Sequence, residues 1–472
     1  MIIAIILGMG VILPTTTVKL NAQEPPIYFE QISVTKGLPH SMVYSILQDS
    51  AGFLWFGTYG GLARYDGIKF QVYTFDPDDD TSLSSNSVYT IFEDSKKRIW
   101  VGTDGGGLNL LDFKQDSFIR FQNNENETSL SNNQVRSIAE DEVGNIWVGT
   151  AEGLNCLDTV TGCFSRYYQV SDFSGLSSQN IFSLLVDKYD RLWVGTADGL
   201  NLYLPASDSF LHYLPDSRNP NSISEGPIVS LCEDNQGQIW IGSFVDGLDV
   251  FNPDTTLFNH FRSTSNPISL SDNTIYSIYQ DTEGFVWVGT ANGLNRYDYE
   301  TNEFRRIYNN PGDPASLSNN RVRAIYQDRS GLVWIGTYGG GICKLDPRED
   351  AFRLYYNIAG DSNSLSNNLV FTILEDDKGS IWAGTDGGGL NQLQADGTFK
   401  TYYFQVENLF QMNINSIRAL YQSPSGIIWV GTLAGLIKFD PEDGSFKHYP
   451  LGGLSGNSVR AIYEDHSGRL WI

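Results

Sequence analysis

Apolar and polar positions follow one another along this chain in short alternating runs, and the runs come back. From Ser271 the chain reads Ser-Asp-Asn-Thr-Ile-Tyr-Ser-Ile-Tyr-Gln-Asp, a polar turn followed by a β-branched and aromatic strand. Asp281-Thr-Glu-Gly284 predicts a tight turn, Asp capping its own backbone and Gly supplying a positive φ. Residues 285–290 predict a second strand, 294–298 a third and 303–308 a fourth, with turns at 291–293 and 299–302. No stretch carries a helical period. Four short antiparallel strands per unit describe one blade of a β-propeller.

The second strand of the unit carries a phrase, Asp-x-x-Gly-x-hydrophobic-Trp-x-Gly-Thr. It recurs ten times and accounts for every tryptophan: Trp55, Trp100, Trp147, Trp193, Trp240, Trp287, Trp334, Trp382, Trp429 and Trp471. One period of about 47 residues, sustained this long, is the mark of a solenoid or propeller. Between blades an indole finds a large apolar slot with a polar edge. The Gly two residues later lets the neighbouring backbone approach. The Leu of Ser-Leu-Ser (Leu83, Leu130, Leu270, Leu317, Leu365) is placed in the same layer. Four departures stand out. Lys97 and Asp190 replace the turn Gly; Asp tolerates the left-handed conformation, and Lys should lose about 1 kcal/mol there. Ser423 replaces the turn Asp and Ser243 the Thr, both read as mild changes.

Ten blades exceed the four to eight that close one ring, so the array splits into two. Residues 27–32 precede the first complete repeat and resemble the fourth strand at 118–121. A lone outer strand at the start is what a ring needs to complete its last blade from the other end of the chain. The sequence stops at Trp471-Ile472, inside a copy of the phrase, and reads as a piece of something longer.

Composition narrows the class. At 472 residues the chain is too long for one core, and 18% charged residues with 47 Gly, 25 Tyr and 26 Phe suit a turn-rich β protein. A net charge of −24 argues against a nucleic-acid partner, and says little against a neutral sugar or peptide. Residues 1–22 read as a secretory signal. Their apolar run, 2–13, is too short to span a bilayer, and Ala22 offers a cleavage site. No positively charged segment precedes that run and no Cys follows it, so a lipoprotein anchor is not expected and the mature chain reads as exported.

Chemistry-bearing residues are sparse. Four cysteines are too few for a disulfide framework; Cys156 and Cys163 flank a predicted hairpin turn and are either bridged across it or two small half-buried thiols. His40, His212, His260, His448 and His466 are scattered without ligand spacing, so neither metal nor cofactor is expected. The glycine triplets at 105–107, 339–341 and 387–389 are turn glycines. The acidic run from Asp76 to Asp80 is a solvated loop, with Ca²⁺ held by clustered carboxylates as the other reading.

With those residues in view, the phrase Val-x-x-Ile-x-x-Asp-x-x-Gly-x-Leu-Trp-Ile-Gly-Thr-x-x-Gly-Leu resembles the two-component regulator propeller repeat. The likeness covers residues 27–472, and the opening Phe29-Glu-Gln-Ile-Ser-Val-Thr-Lys-Gly37-Leu38-Pro resembles the start of such a propeller. It implies the periplasmic sensor region of a Bacteroidetes hybrid two-component system. Such a protein has two seven-bladed propellers, a tyrosine-rich immunoglobulin-like module, one membrane span, and cytoplasmic kinase and response-regulator domains beyond residue 472. The implied fold is all-β: a seven-bladed propeller of four-stranded antiparallel blades over 27–350, then the first blades of a second over 351–472. Residues 352–357 would open that second ring as its own orphan strand. The count of seven rests on the resemblance, since the period alone permits six or eight. Sensors of this kind bind an oligosaccharide from polysaccharide breakdown and switch on the genes for its use; a homodimer is compatible with the family.

A ligand face follows from the blade. The turn before the first strand and the turn between the second and third should share one side of the ring. The first contributes Tyr44, Tyr89, Arg136, Phe182, Tyr276, Arg323, Phe371, Arg418 and Arg460; the second contributes Tyr59, Asp104, Asp198, Asn292 and Tyr338. Aromatics interleaved with Arg and Asn suit sugar rings, their hydroxyls and acidic groups. The same side chains would also serve merely to fill the central channel. Two rival classes stand beside the sensor: a propeller glycosidase or lyase, and a protein-binding scaffold. Catalysis would need paired carboxylates or a Tyr nucleophile that break the repeat, and the copies are uniform.

Overall fold

The computed structural model describes residues 27–170, 174–347, 354–407, 414–451 and 457–472. The export signal read at 1–22 lies outside them. Contacts divide the chain into two compact units, Tyr28–Phe352 and, beyond it, Arg353–Ile472. Regular structure is almost wholly antiparallel β.

The sixth blade shows how the unit folds. Its strands are Ile275–Gln280, Val286–Thr290, Gly293–Asp298 and Glu303–Ile307, paired in that order. Trp287 Nε1 donates to Asp281 Oδ2 at 2.7 Å, while Asp281 Oδ1 accepts the N–H of Phe285 at 2.9 Å. The turn Asp therefore caps its own turn and also satisfies the buried indole. A Cβ added at Gly289 would lie 2.7 Å from the carbonyl oxygen of Val322, so the next blade sits where only glycine fits. Lys97 and Asp190 do adopt φ of 63° and 59°.

Seven four-stranded sheets make up the unit Tyr28–Phe352. Six use consecutive strands. The seventh takes Val322–Gln327, Val333–Thr337 and Ile342–Leu345 from one end of the unit and Glu30–Ile32 from the other, with Glu30 opposite Lys344 and Ile32 opposite Ile342. Each leading strand packs against the leading strands on both sides, and Val43–Gln48 meets Val322–Gln327, which closes a ring. Between blades lie apolar layers such as Trp55 with Leu83 and Val88 of the next sheet, and Trp334 with Val43 and Phe56 across the closure. All seven tryptophans of the ring are buried. Leu176 and Ile223 fill the slot that Leu83 fills elsewhere.

A belt of single hydrogen bonds follows the closure round. The residue after each turn Asp donates its N–H to the last side chain of the next blade's leading strand. Ser50 reaches Glu93 at 2.9 Å, Ser95 reaches Glu140 at 2.6 Å, and Lys188 reaches Glu233 at 2.8 Å. Asn235 reaches Gln280 at 2.7 Å, Thr282 reaches Gln327 at 2.8 Å, and Arg329 reaches Gln48 at 2.9 Å. Val186 cannot accept in the fourth blade. There Asp190 accepts from Glu142 at 2.8 Å instead, so the residue that departs from the turn glycine also repairs the belt.

The second unit holds two complete sheets. One is Val370–Glu375, Ile381–Thr385, Leu390–Leu393 and Phe399–Tyr402; the other is Ile417–Gln422, Ile428–Thr432, Gly435–Phe439 and Phe446–Tyr449. Tyr463–Glu464 and Leu470–Trp471 form a two-stranded piece.

Two expectations fail against the structure, and one open alternative closes. Residues 354–357 form no strand; both complete sheets of this unit already have four, and Tyr355 packs edge-on against Phe399 with ring centroids 5.3 Å apart. Cys156 stands opposite Ser165, and Cys163 lies in the turn before Phe164–Tyr167, so the two are not cross-strand partners and both thiols are free. Ser423 is not a mild change. In the other nine copies the indole N–H reaches the turn Asp at 2.7 to 3.0 Å, as in Trp55, Trp147 and Trp471, and Trp429 has no such carboxylate.

Candidate functional site

In every leading strand of the ring the pairing slips just after its first residue. Val43 faces Thr58 and Ser45 faces Gly57, which leaves Tyr44 as the extra residue of a β-bulge. The same slip isolates Tyr89, Arg136, Phe182, Val229, Tyr276 and Arg323. A bulge re-aims its extra side chain away from the two regular faces of the sheet. All seven line one cavity of about 430 Å³, joined by Gln134, Pro227 and Phe244. That volume falls in the roughly 300–1,000 Å³ range of small-molecule sites.

The wall of this mouth is aromatic and cationic. The edge of Tyr89 meets Tyr44 at 5.0 Å. The Arg323 guanidinium lies 4.4 Å from the Tyr276 ring centre and 5.5 Å from that of Tyr44. Arg136 stacks on Phe182 at 4.4 Å and donates to Gln134 Oε1 at 2.8 Å and Asn180 Oδ1 at 2.5 Å. Asp104 sits beside them, accepting from Tyr89 Oη at 3.1 Å and from Gln134 Nε2 at 2.6 Å. Burial, seconded by the Asp104 charge, pushes the Tyr89 phenol up to about 12; burial also raises Tyr44 and lowers Arg136, which stays cationic. The mouth thus gathers two arginines and three tyrosines around Asp104, whose carboxyl oxygens already accept from Tyr89 and Gln134.

The second turn is tied to this mouth. The residue after each second strand donates its N–H to the carbonyl just before the leading strand, as Tyr59 does to Met42 at 3.2 Å and Tyr338 to Arg321 at 2.9 Å. Of the residues expected there, Tyr44, Tyr89, Arg136, Tyr276 and Arg323 line the cavity and Asp104 supports it. Tyr59 is 54% exposed beside His40, and Tyr338 lies under Arg321 at 5.7 Å. Asp198 and Asn292 fall one residue past the position of Tyr59; Ala197 and Ala291 hold it. Asp198 lines a separate cavity of about 810 Å³ with His212, and Asn292 accepts from Asn320 at 3.2 Å. The sequence reading missed Gln134, Pro227, Val229 and Phe244, although Phe244 stands in register with Tyr59. In the second unit Arg418 stacks on Phe371 at 3.6 Å and reaches Asp386 at 3.1 Å, while Arg460 is exposed and outside any strand.

The acidic loop serves itself. Asp76 accepts the N–H of Asp78 at 2.9 Å and Asp79 that of Thr81 at 2.8 Å. Among the described residues no His, Cys, Asp and Glu are grouped to hold a metal.

The model of the two-component regulator propeller matches ten segments, residues 37–60, 82–105, 129–152, 175–198, 222–244, 269–292, 316–339, 364–387, 411–434 and 453–472. The chain belongs to this family. Each match runs from just before a leading strand to the turn after the tryptophan strand, so it spans the bulge as well as the Asp–Trp pair. Histidine kinase P4 of Formosa agariphila is 40% identical over 67 residues, 14% of this chain and 5% of its own length. The extracellular domain of a hybrid two-component system of B. thetaiotaomicron superposes with a TM-score of 0.69 at 29% identity, covering 94% of this chain and 64% of that one. A second such domain from the same organism gives 0.57 at 25% identity, covering 94% and 57%. Thus the chain spans under two thirds of the length of these relatives. Virginiamycin B lyase of Staphylococcus aureus superposes on 68% of this chain and 99% of its own at 12% identity, TM-score 0.52, a likeness of fold alone.

Proposed function

We propose that this propeller is the exported, non-catalytic ligand-sensing region of a two-component receptor, and that its ligand is an oligosaccharide released from a polysaccharide. The observation that carries this reading is the convergence of seven bulge residues on one cavity, six of them in three aromatic or arginine–aromatic pairs. At these positions the chemistry changes from blade to blade, through Tyr, Arg, Phe and Val, as a recognition surface requires. Aromatic faces suit the C–H faces of sugar rings, and arginine forks suit their oxygens. The relatives support the setting: two are extracellular domains of hybrid two-component systems and one is a histidine kinase. Occupancy of the mouth would then be reported to a kinase of that kind and raise expression of genes for using the saccharide.

Binding of the purified chain to an oligosaccharide array tests this. A saccharide should bind, and the double variant Arg136→Ala, Arg323→Ala should lose it while keeping the melting temperature. Unchanged affinity in that variant would remove the mouth as the site. Turnover of a polysaccharide would favour the glycosidase or lyase class instead.

A further inference from the structure

Arginine in this ring usually spends its guanidinium on fixed acceptors. Arg98 and Arg191 reach the turn carboxylates of Asp94 and Asp187 at 2.5 and 2.6 Å. Arg120, Arg166 and Arg306 donate to the loop carbonyls of Ser82, Ser129 and Ser269. Arg262 pairs with Asp246 and Asp249. The two arginines of the mouth differ. Arg136 is held by two neutral amide oxygens. Among the described residues Arg323 has neither a hydrogen bond nor an ion pair; its contacts are the faces of Tyr276 and Tyr44.

A guanidinium that lies over aromatic rings and has no polar partner keeps its five coplanar N–H donors available. The nearby carboxyl and amide acceptors each already take a donor. Asp104 takes Tyr89 and Gln134, while Gln134 and Asn180 take Arg136. A neutral sugar offers hydroxyls that must both donate and accept, and this wall would leave much of their donating capacity unmet. An anionic group only accepts, and it matches the planar fork in two parallel bonds. Removing a half-buried cation from water without a counter-ion is unfavourable, and a ligand anion reverses that.

Resting on the reading of the mouth as the ligand site, we infer that it binds an anionic saccharide. A carboxylate or sulfate lies on the free edge of Arg323, and the adjoining sugar ring packs on the aromatic wall. Arg136, fixed by Gln134 and Asn180, sets the far side of the cavity.

Calorimetry on the full chain with three probes decides it: tetragalacturonate, which carries only carboxylates, a κ-carrageenan tetrasaccharide, which carries only sulfates, and neutral galactotetraose. One anionic probe is expected to bind, and which one binds separates carboxylate from sulfate. Arg323→Met should weaken that binding roughly ten- to a hundredfold, the scale of a lost charge-assisted hydrogen-bond pair. Arg323→Lys keeps the charge without the fork and should fall between, and it decides the question if the Met variant fails to fold. Galactotetraose bound at the mouth with the anionic probes excluded would overturn the inference and leave the sensor reading standing. Binding of none of the three counts against both. Anionic binding that survives Arg323→Met and Arg323→Lys undiminished also overturns it.

Discussion

Trp287 and Trp429 stand in nearly the same ten-residue phrase, yet one is fully buried and the other only partly so. The leading strands differ in the same way. Ile278 in the ring is 8% exposed, and Ile373 at the same place in the second unit is 68% exposed. Local sequence makes the blade in both cases, for strands, turn and bulge are alike. What differs is the neighbour. Each tryptophan is covered by the sheet that follows, as Trp382 is by Ile417, Ile428 and Phe439, and each leading strand by the sheet before it. Inside the ring every blade has both. Among the described residues the blade of Val370–Glu375 has no sheet before it within its own unit, and Trp429 is followed only by the short pair at 463–464 and 470–471. Stability in such an array is a sum over interfaces more than over blades.

If that is right, the two units should part under attack. Limited proteolysis of the purified chain is expected to leave a resistant core ending between Asp346 and Leu354, with the second unit degraded. Its exposed leading strand and half-covered faces give a protease the opening that the closed ring denies. A resistant core that runs past Trp382 would mean that the eighth blade shares the cooperative unit of the first seven, and the boundary proposed near residue 350 would be wrong.

Single substitutions sharpen the contrast. Trp287→Ala should cost the ring about 3–5 kcal/mol, and Trp429→Ala less than half that in the second unit. Equal losses, read by denaturant unfolding, would refute the dependence on neighbours. The Asp–Trp bond offers a reciprocal exchange. Asp281→Ser strands the buried indole N–H of Trp287 and should cost about 1–3 kcal/mol, whereas Ser423→Asp supplies the missing acceptor to Trp429 and should stabilise its blade by about 1 kcal/mol.

Much of this was legible in the chain. Ten copies of one phrase gave the blade, the all-β class and the family, because an inter-blade tryptophan, its turn and its close-approach glycine are all local demands of one slot. The orphan strand at 27–32 was legible for the same reason, and Glu30–Ile32 does pair with Ile342–Lys344. The bulge was harder, although it leaves a trace. Core residues in a regular strand recur every second position, but Val135 and Ile138, or Ile275 and Ile278, are three apart and share one apolar layer. One extra residue between them is the bulge, and it names the mouth residue directly, including Val229, which carries no chemistry to draw the eye. Asp198 and Asn292 were misplaced because the turn after the second strand varies in length between blades, so polar character was followed where register should have been. The Cys156 and Cys163 question turned on a two-residue offset in pairing that no spacing rule reveals.

The smallest expected effect concerns pH and again sets ring against second unit. His260 and His448 hold the same place on the fourth strand of their blades, but the residue opposite His260 is Asp249 and that opposite His448 is Ile437. In the other blades of the ring this inner position is mostly Asn, as in Asn109 and Asn295, whose amide serves the adjoining Ser. Asp249 keeps that task toward Ser224 and adds His260 Nδ1 at 2.7 Å, while His260 Nε2 lies 3.0 Å from the carbonyl of Pro220. Two acceptors face two ring nitrogens, so the imidazolium fits and the neutral ring leaves one of them unmet. The hydrogen bond to Asp249 holds the His260 pKa above its ordinary 6.5 against burial and against the nearby Arg262. A raised pKa in the folded state means stability that is fully present below 6.5 and lost as pH rises through the folded value. The destabilisation caused by His260→Gln should therefore be larger at about pH 5.5 than at about pH 8.5, measured as the difference in melting temperature from the parent. His448→Gln, without a carboxylate opposite, is the comparison. If the two variants follow pH in parallel, the effect belongs to histidine at that place in any blade, and the Asp249 partnership is not its cause.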